Sequence, residues 1–205
     1  MSIWVSSFVQ IGGSRIVFLV IENVVPQKIS SIYYILLRLV EGLLFIPNNI
    51  CAEHFKKIIN NKKNSIFQLD LRNKMLISCL ISSLIVSPIL YFVFLAYINF
   101  KGINIESNAF MFTLVFILVI ISFLRIWISR EIVINDNLIS SPISYFASFI
   151  CTIPAIYFLS KYGFWVIFSL LVYYVIATIT PLIVNSKKMN STKDLLKKTL
   201  CLKTL

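Results

Sequence analysis

Residues Met75–Ile98 read MLISCLISSLIVSPILYFVFLAYI, a run without one charged side chain. Crossing about 30 Å of hydrocarbon as a helix takes roughly 20 predominantly apolar residues, so this run is long enough to span a bilayer. Five further runs of the same character occupy Trp4–Ile21, Ser30–Ile50, Ala109–Ser129, Ile139–Ser160 and Phe164–Val184. The pattern predicts an all-α membrane protein, with six transmembrane helices forming one bundle over residues 1–186 and a basic tail over residues 187–205. The first run has no positive residue ahead of it and no small-x-small site behind it, so it reads as a span rather than a cleaved signal.

Composition agrees. The chain is 59% hydrophobic and 13% charged, against about 25% charged residues in an ordinary soluble domain. A water-soluble globular fold is excluded. The net charge of +11 does not point to nucleic acid, because its placement follows the spans. Lys56, Lys57, Lys62, Lys63, Arg72 and Lys74 lie between runs two and three. Arg125 and Arg130 close run four, and Lys187, Lys188, Lys193, Lys197, Lys198 and Lys203 follow run six. The opposite side has only Lys28, Lys101 and Lys161. Positive residues collect in cytoplasmic segments, so both termini are expected in the cytoplasm, with the lysines also drawn to anionic lipid headgroups.

The outer segments Glu22–Ile29, Asn99–Asn108 and Lys161–Gly163 are too short to fold into an external domain. The inner segment His54–Lys74 carries Phe55, Ile58 and Ile59 at helical spacing among lysines, the pattern of a short interfacial helix. In the tail, Leu195, Leu196, Thr199 and Leu202 share one helical face, which suits either a docked helix or a frayed basic end. Pro88, Pro142, Pro154 and Pro181 interrupt the apolar runs. Proline deletes a helix hydrogen bond, and such breaks suit a protein that changes shape as well as a static one. Cys51, Cys79, Cys151 and Cys201 show no metal-ligand spacing and read as packing residues or free thiols.

Two cations fall inside spans. An arginine at the bilayer centre costs about 2.5–3.5 kcal/mol on insertion scales, so Arg15 and Arg38 should face protein or a wet cavity. Arg15 follows Gly12-Gly13-Ser14, small residues that let helices approach. Arg38 and Glu41 are three apart and meet on one helical face. Either this pair staples the bundle, or Arg15 and Arg38 line a cavity for an anion, with phosphate or pyrophosphate suited to a bidentate guanidinium. Glu22 is a weaker candidate for ion coupling. No catalytic motif is present: His54 lacks the spacing of a zinc site, and there is no GxSxG turn or P-loop. The sequence therefore predicts no enzyme, no metal and no cofactor.

The stretch Ile32-Tyr33-Tyr34-Ile35-Leu36-Leu37-Arg38-Leu39, then Leu43-Leu44-Phe45-Ile46-Pro47-Asn48-Asn49-Ile50, precedes a charged segment from Phe55-Lys56-Lys57 to Asp70-Leu71-Arg72-Asn73-Lys74. A short turn, Lys161-Tyr162-Gly163, separates the last two runs. In this order the features resemble the C-terminal half of polysaccharide and O-antigen flippases, within the multidrug/oligosaccharidyl-lipid/polysaccharide exporter superfamily. The family usually has Gly before the span-two Tyr, where this chain has Ser30-Ser31-Ile32. Such carriers join two bundles, so six spans match half of one: a truncated carrier, or one part of a split carrier with a second six-helix bundle as partner.

The resemblance implies export of a polyprenyl-pyrophosphate-linked oligosaccharide, an O-antigen or capsule repeat unit, across the bacterial inner membrane. The headgroup would cross in a polar cavity while the tail stays among membrane lipids. Arg15, Arg38 and Glu41 are then the expected substrate-binding residues. The competing expectations are a membrane-embedded enzyme of glycan biosynthesis and an inactive accessory remnant.

Overall fold

The computed structural model describes residues 15–60, 65–102, 109–184 and 187–200. Their regular structure is entirely helical. Helix α1 covers residues 15–24. It is followed by α2 (Gln27–Leu43), α3 (Phe45–Asn60), α4 (Ser65–Phe100), α5 (Ala109–Ile134), α6 (Ser140–Ser160), a 3₁₀ turn (Gly163–Ile167), α7 (Phe168–Val184) and α8 (Asn190–Leu200). Five stretches are long and apolar enough to cross a membrane: Gln27–Asn60, Phe67–Phe100, Phe110–Ile134, Ser140–Ser160 and Trp165–Val184. They match the second to sixth apolar runs to within one residue or extend beyond them. Most of the first run, Trp4–Ile21, lies outside the described residues, as do Gly12, Gly13 and Ser14.

The exterior fits a lipid solvent. Along α4, Ile81, Ile85, Ile89 and Phe92 point outward as a stripe, each more than half exposed. Such a contiguous apolar surface marks an interaction with something apolar. Near the end of the bundle where α6 meets α7, Trp165 is half exposed and stacks with Phe168, and Phe110 packs on both at 4.9 and 5.3 Å between ring centroids. Aromatic rings are enriched at this depth because one side can be apolar and the other wet.

Helices α4 and α5 are longer than the apolar runs inside them. With 36 residues, α4 extends about 54 Å at ~1.5 Å per residue, well beyond the hydrocarbon. The segment expected as an interfacial helix between runs two and three is instead shared between its neighbours. Helix α3 runs on to Asn60 and α4 begins at Ser65. Ile58 is buried there and Ile59 is exposed. Between α2 and α3 the chain tightens by one turn at Leu44, whose N–H bonds to the Glu41 carbonyl at 3.2 Å.

Proline breaks are absorbed locally. Pro88 sits inside α4 and cannot donate to the Leu84 carbonyl; the Ser87 hydroxyl donates to that oxygen at 3.3 Å instead. In lipid a freed carbonyl persists only where such a donor is supplied. Pro142 falls in the first turn of α6, where a missing N–H costs nothing, while Pro154 and Pro181 lie within α6 and α7.

Helices α6 and α7 form an antiparallel pair. On α6, Ser140, Ser144, Ser148 and Thr152 recur every fourth residue and are all buried. Their hydroxyls are satisfied within the chain; for example, Thr152 donates to the Ser148 carbonyl at 2.6 Å. On α7, Ser169, Ala177 and Thr178 are buried. Small residues let two backbones approach closely where no hydrophobic drive operates between them.

Two cores result. The larger joins α1, α2, α4, α5, α6 and α7 around Tyr33, Leu36, Phe94, Leu118 and Phe123. The smaller joins α3, α4, α5 and α8 around Cys51, Met75, Cys79, Trp127 and Leu195. Helix α8 is therefore docked rather than frayed: Thr192 and Leu195 are buried and Leu196 packs against this second core. Arg72 on α4 and Glu131 on α5 form a buried ion pair beneath it, and Thr192 donates to Glu131 Oε2 at 2.9 Å. Thr199 is in the helix, but Leu202 lies outside the described residues.

Candidate functional site

Helix α2 has two unlike faces. Ile32, Tyr33, Leu36 and Val40 are buried in the larger core. Tyr34, Arg38 and Glu41 follow one another up the other side. The Arg38 guanidinium donates through Nη1 to Glu41 Oε2 at 3.0 Å and lies over the Tyr34 ring at 4.9 Å. The Arg38 side chain is nevertheless 61% exposed. A half-open guanidinium within an apolar span cannot face acyl chains without a large cost, so this side of α2 borders a wet space.

That space exists. A cavity of about 330 Å³ is lined by Arg15 from α1, by Tyr33, Leu37, Arg38 and Glu41 from α2, by Arg125 and Ile126 from α5, by Tyr145 from α6, and by Leu170, Tyr173 and Tyr174 from α7. A second cavity of about 370 Å³ adjoins it and shares Arg15, Leu37, Arg38 and Glu41, adding Phe18, Leu19 and Tyr34. Phe18 and Tyr34 touch with ring centroids 5.1 Å apart, holding α1 against α2. The three residues expected from the sequence to bind substrate, Arg15, Arg38 and Glu41, thus line one site. Glu22, the weaker candidate, lines neither cavity.

Arg125 was read from the sequence as a charge at the inner edge of a span; it lines this same cavity. Its guanidinium lies 4.4 Å from the ring centre of Tyr145, 5.2 Å from Tyr173 and 5.5 Å from Tyr174. Its Nη2 is shut off from solvent with no hydrogen-bond partner. No ion pair to Arg125 is present among the described residues. The rings stabilise a cation by about 0.5–2 kcal/mol but neutralise nothing. The sequence signal was the pair Tyr173-Tyr174 in the middle of an apolar run, where phenols are out of place unless they serve a polar neighbour.

Three guanidiniums against one carboxylate leave the described lining with a surplus of two positive charges. Such a chamber attracts anions and, with low-dielectric walls, concentrates them. The described lining offers no nucleophile–base pair. No group of three or more potential metal ligands occurs among the described residues. His54 Nδ1 meets the Ile50 carbonyl of its own helix at 2.9 Å. Elsewhere, Cys51 and Cys79 bring their Sγ atoms to 3.5 Å across α3 and α4, a juxtaposition that sequence spacing did not indicate.

Neither a protein-family model, nor a curated protein, nor a solved structure matches this chain.

Proposed function

We propose that the chain is a membrane carrier bundle that moves a polyprenyl-pyrophosphate-linked oligosaccharide across the bacterial inner membrane, acting with a second bundle of similar size. In this reading both termini face the cytoplasm. The observation that carries the reading is the convergence of Arg15, Arg38 and Arg125 on one cavity between apolar helices. Cationic groups at membrane depth mark solute paths, and guanidiniums suit phosphoryl oxygens because two parallel N–H bonds can form. The likeness of Ile32–Leu39 and its surroundings to flippase sequences adds the choice of headgroup and lipid tail.

In this cycle the pyrophosphate sits among the guanidiniums, the sugars follow it through the wet space, and the lipid tail remains outside among acyl chains. Rocking of this bundle against its partner exposes the cavity to each side in turn. The test is complementation of a flippase-null strain with the chain alone and with a six-span N-terminal partner. Restored surface polysaccharide, lost on Arg15→Ala or Arg38→Ala at unchanged membrane insertion, is the expected outcome. Unchanged export in both variants rejects the cavity as the path. No rescue with any partner leaves the accessory reading in its place.

A further inference from the structure

We propose that Glu41 is an exchangeable counter-ion: it holds Arg38 while the cavity is empty and shares it with a diphosphate group that Arg125, from α5, also grips. This rests on the cavity being the solute site and specifies its selectivity.

The two arginines are held differently. Arg38 has a carboxylate at 3.0 Å on its own helix, one turn away, and both partners are open to the cavity, at 61% and 36% exposure. A solvent-exposed pair of this kind is weak, so an incoming anion gains a share of Arg38 cheaply. Among the described residues Arg125 has no carboxylate to surrender. It is bedded on the tyrosine rings of α6 and α7, with its Nη2 buried and without a partner. It is the fixed anchor, and Arg38 is the movable one.

Charge then selects the ligand. With Glu41 retained, the four charged lining groups carry a surplus of two. A monoanionic phosphate diester cancels half of that surplus. A diphosphate diester, with two adjacent negative charges, cancels all of it and has oxygens enough for both guanidiniums. The volume of about 330 Å³ is at the small end of ligand sites. It accommodates the charged headgroup, while the neighbouring space beside Phe18 and Tyr34 takes what is attached to it.

The arrangement also sets release. Glu41 stays beside Arg38 when the anion is bound and competes for it throughout. Its carboxylate weakens binding, and removing its charge tightens it. A residue that merely staples the helix does not behave so.

The experiment uses the full chain in nanodiscs of zwitterionic lipid, titrated calorimetrically with the methyl farnesyl diester of diphosphate, methyl farnesyl phosphate and inorganic pyrophosphate. The diphosphate diester, a dianion, is expected to bind at least about tenfold more tightly than the monophosphate diester, a monoanion. Arg125→Gln should weaken the diphosphate by about 10- to 100-fold, the range for a charged hydrogen bond, and abolish the preference over monophosphate. Glu41→Gln should tighten it by about threefold or more, a gain that misfolding cannot produce. Equal affinity for mono- and diphosphate, or weaker binding in Glu41→Gln with an unchanged unfolding temperature, overturns the proposal. If inorganic pyrophosphate binds as tightly as the farnesyl compound, the anion site stands and the lipid-carrier reading fails.

Discussion

Arg72 and Glu131 meet side to side across α4 and α5. Nε of the arginine donates to Oε1 at 3.1 Å, and Nη2 bonds to Oε2. Both are buried, Glu131 completely. Further bonds to the pair come from α8 and the end of α5. Arg72 Nη2 also donates to Ser191 Oγ and Thr192 Oγ1 at 3.1 and 3.2 Å. Asn135 Nδ2 donates to Thr192 Oγ1 at 3.1 Å. The first turn of α8 thus brings the Ser191 and Thr192 hydroxyls to the ion pair, at a helix start whose dipole favours negative charge.

Breaking one side of this pair strands the other in a dry place. Arg72→Ala or Glu131→Ala should each destabilise the bundle by roughly 3–5 kcal/mol. The double replacement Arg72→Met with Glu131→Leu should recover most of the loss, because it removes both desolvation costs. Thermal unfolding in detergent, followed by size-exclusion fluorescence, reads this directly. Single variants as stable as the native chain would show that the pair contributes nothing.

The second core places α8 beside the end of α3 and the start of α4, so these segments share one side of the membrane. Alkaline phosphatase fused after Lys57 or Lys188 should be inactive, and fused after Lys101 or Lys161 active, following the asymmetry of positive charge. The reverse pattern of activity would invert the whole topology.

Thiol chemistry distinguishes the cysteines. Cys51 and Cys79 are buried against each other, whereas Cys151 is exposed on α6. In a Cys201→Ser background, a small membrane-permeant maleimide should label one thiol in the folded protein and three after denaturation, counted by intact mass. Early labelling of Cys51 or Cys79 would mean that the α3–α4 contact opens.

The turn between α6 and α7 depends on Gly163, which has φ of +62°. An added Cβ would meet nothing closer than Ile29 Cδ1 at 3.9 Å. The cost of Gly163→Ala is therefore conformational, about 1–2 kcal/mol for a left-handed backbone, with little from steric overlap. Gly42→Ala, in the last turn of α2 with nothing within 4 Å of an added Cβ, should instead stabilise by up to about 1 kcal/mol. Unfolding midpoints of the two variants should move in opposite directions.

Where the solvent is lipid, apolar length alone reveals helices. The run Ala109–Ser129 lies inside α5, and Ile139–Ser160 nearly coincides with α6. Helix ends beyond the hydrocarbon were less legible, because Phe55–Lys57 and Asp70–Lys74 are charged and yet still helical. Apolarity reports membrane thickness, whereas helicity is set by backbone hydrogen bonds that continue past it. In the site, Arg15, Arg38 and Glu41 were visible because each interrupts an apolar run. Arg125 looked like one more charge near a span end, since which way it faces depends on α6 and α7 packing against α5. The meeting of Arg72 with Glu131 was hidden for a similar reason: the two are 59 residues apart.

The partner that Thr192 supplies to Glu131 comes 61 residues later in the chain. During synthesis, α5 must therefore leave the ribosome and insert with its acidic end still unclaimed by α8. The second core closes only once translation has passed Thr192 and Leu195, which makes this short helix its clasp.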